Sequence, residues 1–139
     1  MKRAFTIIEL IFVIIVIGIL ASVALPRFQE SYKQSLISKA QSKVTAIRSG
    51  LQVYKNKHIL LGQTPFPSSL DSDSSHLFDQ VLTDAVTPGT DAGEWKKENG
   101  KYKFFLPSNQ YIVFEYNNTT GKFLCNPNLS SSQELCNYF

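Results

Sequence analysis

The feature that most constrains this chain is an apolar run of 21 residues, Phe5 to Leu25, that follows the basic pair Lys2-Arg3 and ends at Pro26. At about 1.5 Å per residue, a helix over this run is roughly 30 Å long, the thickness of a bilayer's hydrocarbon core. One acid, Glu9, interrupts it near its start. A carboxylate in hydrocarbon costs at least ~2.5 kcal/mol even on lenient insertion scales, so its retention asks for a use. Lys2 and Arg3 place the N-terminus on the cytoplasmic side by the positive-inside rule, which puts Glu9 near the headgroups. It can reach the interface by snorkelling, or it can meet a cation delivered at its own depth. Cleavage between Ala4 and Phe5 would create that cation, an α-amino group four residues before the carboxylate.

The string Ala4-Phe5-Thr6-Ile7-Ile8-Glu9 with its apolar tail resembles the cleavage and methylation signature of type IV pilins and type II secretion pseudopilins. The resemblance implies a membrane peptidase that removes the basic leader, residues 1–4, and methylates the new terminus at Phe5. It implies assembly positions at Thr6, Glu9, Gly18 and Pro26. Glu9 would meet the amine of a neighbouring subunit, while Gly18 and Pro26 would weaken the helix. The family usually has Gly before the cut, and this chain has the similarly small Ala4. The signature covers about a fifth of the chain. Two other readings compete. Ser22-Val23-Ala24 offers small residues to an ordinary signal peptidase, but the apolar run is long for a signal peptide and carries an acid. The other is a plain uncleaved anchor for an unrelated domain.

Beyond the apolar segment, residues 27–139 are enough for one compact domain and too few for two. Their charge is segregated. Arg27 to His58 holds seven Lys or Arg against Glu30 alone, whereas Gly62 to Glu94 holds six acids and no Lys or Arg. This pattern suggests electrostatic register, within one subunit or between subunits, or simply two solvated faces. Cys125 and Cys136 are the only cysteines. An exported pair in a small domain reads as a disulfide. His58 and His76 lie far from both in sequence, and nothing clusters with them to suggest zinc.

After Pro26 the helical pattern resumes. Ala40, Val44, Ile47, Leu51 and Tyr54 form an apolar stripe at alternating spacings of four and three. Pro26 should loosen the helix without stopping it, and Gly62 with Pro65 should end it. A helix from Phe5 to about Leu60 would span on the order of 80 Å. The stretch from Gly62 to Gly93 has the composition of connecting structure. Within it, the spacing of Leu77, Phe78, Val81, Leu82 and Ala85 predicts a short helix from about Ser75 to Ala85. Phe66 and Leu70 should pin this connection to the long helix. Asp71, Asp73, Asp79, Asp84 and Asp91 lack the ligand spacing and glycine of a compact calcium loop.

Beyond Trp95 the period becomes two. Asn99-Gly100 is a strong hairpin signal, followed by strands over Lys101 to Leu106, Tyr111 to Tyr116 and Lys122 to Cys125. Tyr102, Phe104 and Leu106 share one face, which the stripe of the long helix must cover. The expected class is α+β and similar to the pilin fold, a long N-terminal helical spine with a small antiparallel sheet packed on its second half.

No nucleophile with a base at recognisable spacing, phosphate loop or metal cluster is present in the sequence, so neither enzyme nor cofactor is expected. The reading is a structural subunit in the bacterial inner membrane, its outer domain periplasmic or carried on an extracellular filament. Its implied partners are further copies of itself or related pseudopilins, the prepilin peptidase and methylase, an inner-membrane assembly platform and membrane lipid; nucleic acid is not assigned. The small domain leans toward a pseudopilin of a short periplasmic fibre, the reading chosen here. The cysteine pair leans toward a true pilin of a surface fibre, and a DNA-uptake subunit or a non-polymerising anchored module are the remaining readings. Finally, Glu115-Tyr116-Asn117-Asn118-Thr119 resembles an extended bacterial glycosylation acceptor centred on Asn117, or is an ordinary polar turn.

Overall fold

A helix that begins by capping itself opens the chain. In the computed structural model, which describes residues 5–139, α1 runs over Ile7–Leu60, and Thr6 precedes its first turn. Pro26 lies inside α1. Its end is a glycine-terminated stop. Gly62 has φ +67°, the Gly62 N–H donates to the Ile59 carbonyl at 3.0 Å, and the Gln63 N–H donates to the His58 carbonyl at 2.9 Å. This paired closure satisfies carbonyls that the last turn would otherwise leave bare.

The chain divides into two units, residues 1–35 and 36–139. In the first, the apolar side chains from Phe5 to Val23 are exposed. The Ser22 hydroxyl donates to the Ile19 carbonyl at 2.7 Å, so its polarity is absorbed by its own helix.

In the second unit the part of α1 from Leu36 onward supplies Leu36, Ile37, Ala40, Val44, Ile47 and Leu51 to one core. The expected stripe is all there except that Tyr54 is only half-buried. Four strands form the other wall: β1 (Trp95–Glu98), β2 (Lys101–Phe105), β3 (Tyr111–Asn117) and β4 (Lys122–Cys125), an antiparallel meander in the order β1-β2-β3-β4. Alternation sends Trp95, Tyr102, Phe104, Ile112, Phe114 and Phe123 into the core. Asn99 (φ +51°) and Gly100 (φ +75°) make the two-residue turn whose twist suits a hairpin. A short 3₁₀ helix, Gln133–Tyr138, closes the chain and buries Leu135.

The segment from Gly62 to Gly93 departs from expectation at Ser75 to Ala85, which is not a helix. Two side chains compete with helical bonding there. The Asp73 carboxylate accepts the backbone N–H groups of Ser75 and His76 at 2.6 and 2.9 Å. The Asp71 carboxylate accepts the N–H of Phe78 at 3.0 Å, and Phe78 adopts φ +65°, a value no right-handed helix allows. Leu77 instead pairs with Val86 as an antiparallel bridge. Leu77 and Phe78 are fully buried, so the apolar spacing reflected a loop folded onto the core. Leu70 is buried as well, and Phe66 packs at the core's margin.

Candidate functional site

The first candidate is the N-terminal apolar segment. Thr6 has the side chain and position of a helix cap, and its hydroxyl accepts the Glu9 N–H at 3.3 Å. Thr6-x-x-Glu9 thus has the residue spacing of a capping box. Glu9 lies in the first turn, where the helix dipole favours a carboxylate by about 0.3–1 kcal/mol. The sequence reading did not include this local role for Glu9, although the four-residue pattern contains it. Phe5 is 80% exposed, and nothing lies within 4 Å of where a side chain on Gly18 would begin. Met1 to Ala4, and with them the cleavage position before Phe5, lie outside the described residues.

Burial energetics set what this segment needs. Fourteen large apolar residues from Phe5 to Val23 are exposed. At about 1.5–3 kcal/mol each they represent tens of kcal/mol of unrealised burial, more than the roughly 5–15 kcal/mol that holds a domain together. The helix is long and apolar enough to cross a membrane, and none of its most apolar window is buried within the chain.

The second candidate is the loop closed by Cys125 and Cys136, whose sulfurs are bonded with Cα atoms 5.5 Å apart. Ser130 anchors the loop to the sheet. Its hydroxyl donates to the Asn126 carbonyl at 2.8 Å and accepts the Val113 N–H at 3.0 Å. Arg48 fastens both flanks of the loop to α1, with Nε and Nη2 donating to the Phe123 carbonyl at 3.1 and 3.0 Å and Nη1 to the Phe139 carbonyl at 3.2 Å. Asn117, at the end of β3, is exposed and precedes Cys125 in the chain.

The segregated charges do not meet as ion pairs. Among the described residues no Lys or Arg of α1 bridges to an acid between Gly62 and Glu94. Lys39 donates to the Gly93 carbonyl at 2.9 Å, and Lys55 stands 5.7 Å from the centre of the Phe66 ring. The acidic stretch finds its cation elsewhere. Asp71, buried, is bridged by Lys97 of β1 at 2.6 Å. On the outer face of the sheet Lys101 pairs with Glu115 and Lys103 with Glu98, and each lysine holds its partner's carboxyl below the usual range. No group of three or more His, Cys, Asp or Glu among the described residues is arranged to hold a metal.

Comparison with known proteins follows the same lines. The chain is 32% identical over 72 residues to a fimbrial protein of Pseudomonas aeruginosa, covering 50% of this chain and 47% of that one. It is 31% identical over 90 residues to the type IV major fimbrial protein FimA of Dichelobacter nodosus, covering 55% of this chain and 56% of the relative. The chain thus spans about half the length of the curated relatives it matches. No family model matches, and no solved structure does.

Proposed function

We propose that this chain, whose relatives and α+β fold support a place in the type IV pilin family, is a structural subunit that polymerises into a fimbrial filament through its N-terminal helix. The observation that carries the reading is the unpartnered apolar segment with a single carboxylate in its first turn. In the membrane, lipid covers the fourteen side chains; in a filament, the equivalent helices of neighbouring copies do. The role is architectural rather than enzymatic.

In this reading residues 1–4 are a leader, 5–26 the membrane and assembly segment, and 27–139 the outer domain. A peptidase cuts after Ala4 and the Phe5 amine is methylated. That amine, delivered by the incoming subunit, pairs with Glu9 of its neighbour. Two charges at ~4 Å attract by about 4 kcal/mol at an effective dielectric of 20, before desolvation is subtracted. A shifted register leaves both charges buried alone, so the matched register wins. Thr6 holds the first turn in place, and Gly18 and Pro26 let the helix yield as it passes from bilayer to filament. An inner-membrane platform supplies the mechanical work.

Between a surface fibre and a short periplasmic fibre, the fimbrial relatives and the disulfide-closed loop favour the surface fibre. The small size of the outer domain favours the pseudopilin alternative.

Replacing Glu9 with Leu separates assembly from anchoring. The segment becomes a better membrane anchor, so insertion and folding of the outer domain persist, while filament yield in sheared fractions falls at least tenfold. Parental filament yield from Glu9→Leu would overturn the mechanism. A processed mass that begins at a residue other than Phe5 would overturn the cleavage step on its own.

A further inference from the structure

Asn117 ends β3 and opens a tight turn, with its carbonyl accepting the Gly121 N–H at 2.8 Å. Its side-chain Oδ1 accepts two backbone N–H groups, from Thr119 at 2.9 Å and Thr120 at 3.0 Å. These bonds fix the amide so that Nδ2 carries no hydrogen bond among the described residues, and the Thr119 hydroxyl two positions on is likewise uncommitted. Glu115, two positions before, lies on the same face of β3 by strand alternation. Asn117 also borders an open hollow of about 530 Å³ whose walls include Lys101, Glu115, Lys122 and Leu124. Charged groups beside Leu124 suit a sugar ring, which presents hydroxyls on its rim and C–H groups on its faces.

The chain has two other Asn-x-Ser/Thr frames, and the structure distinguishes them. Asn118-Thr119-Thr120 has Tyr116 two positions before it, with its hydroxyl donating to the Pro67 carbonyl at 2.8 Å. Asn128-Leu129-Ser130 ends on a hydroxyl already engaged with Val113 and Asn126. We infer that Asn117 is an N-glycan acceptor, modified from a polyprenyl-pyrophosphate-linked oligosaccharide. In that transfer Nδ2 bonds to the anomeric carbon of the first sugar, the anomeric C–O bond breaks, and the lipid pyrophosphate leaves with its electrons. The Nδ2 proton passes to a base of the transferase. The inference rests on the outer domain being exported, since donor and transferase face the far side of the membrane.

The test uses the full chain co-produced with a bacterial oligosaccharyltransferase, a lipid-linked glycan of known mass and a control acceptor protein. Peptide masses are read together with the oxidation state of Cys125 and Cys136. The expected result is one glycan on the Asn117 peptide, abolished in Asn117→Gln, reduced at least tenfold in Glu115→Gln, and unchanged in Asn118→Gln and Asn128→Gln. Unmodified Asn117 in chains whose cysteines are oxidised, beside a glycosylated control, overturns the site and leaves the export reading standing. Unmodified Asn117 with both thiols free overturns the export reading and the site together.

Discussion

The Tyr102 hydroxyl donates to the carboxylate of Asp71 at 2.9 Å, joining the middle of β2 to the irregular connection 31 residues earlier. The same carboxylate accepts from Lys97 at 2.6 Å and from the Phe78 N–H at 3.0 Å. Its side chain is 2% exposed, so every one of these donors compensates a charge withdrawn from water.

Asp71→Ala should therefore be among the most damaging single changes in the outer domain. It leaves Lys97, the Tyr102 hydroxyl and the Phe78 N–H without their acceptor. Removing one partner of a buried pair costs about 3–5 kcal/mol, and the lower end applies because the Lys97 side chain is a third exposed. Asp71→Asn, which keeps an acceptor, should recover part of the loss. Urea denaturation of the folded domain measures both.

Gly50 should not accept a side chain, although alanine is the better helix former. A Cβ there would overlap the Val81 backbone carbonyl, which belongs to the connection lying across α1. Gly50→Ala should lose about 1–2 kcal/mol as the connection shifts. Ser49→Ala, at an exposed neighbour, should stay within about 0.5 kcal/mol of the parent. Thermal unfolding of the two variants side by side checks the contrast.

Much of this architecture could be read from the sequence. Asn99-Gly100 and the alternation of Tyr102, Phe104 and Leu106 are local signals, and strands formed where they pointed. The helix stripe from Ala40 to Leu51 is equally local. Ser75 to Ala85 failed because its apolar spacing suits a helix, while Asp71 and Asp73 capture the N–H groups that a helix would use. The partnership of Asp71 with Lys97 spans 26 positions and has no sequence pattern of its own. At the N-terminus Glu9 stood out as an anomaly, and its local part in the first turn lies in the Thr6-x-x-Glu9 spacing, which the apolar run overshadowed.

Removing the Cys125–Cys136 bond should weaken the domain without abolishing the sheet. The bond closes a short loop, with a sequence separation of 11, and chain-entropy arguments assign such a closure about 3 kcal/mol. Cys125→Ser/Cys136→Ser should lower the denaturation midpoint accordingly. In the native, unreduced protein neither thiol should alkylate.

Alkaline solution should act late on two tyrosines, Tyr102 and Tyr116. Burial, reinforced by the Asp71 carboxylate, holds the Tyr102 phenol far above its ordinary value. Burial, with a smaller contribution from Tyr54, pushes Tyr116 up to about 12. A phenol whose folded value is raised contributes stability that is complete below its unfolded value of about 10 and declines as pH rises beyond it. Phenolate absorbance should show two delayed groups, reduced to one in Tyr116→Phe, and domain stability should fall from about pH 10 upward.

Arg48 has a consequence for how the protein can and cannot aggregate. β4 is the last strand of its sheet, and an outermost strand ordinarily offers bare carbonyls on which a foreign strand can template itself. Here the Phe123 carbonyl, at the centre of that margin, is occupied twice by one guanidinium. An intruding strand would have to evict Arg48 before it could take its first hydrogen bond. Crowded copies of this domain are thereby turned away from joining along the β4 margin.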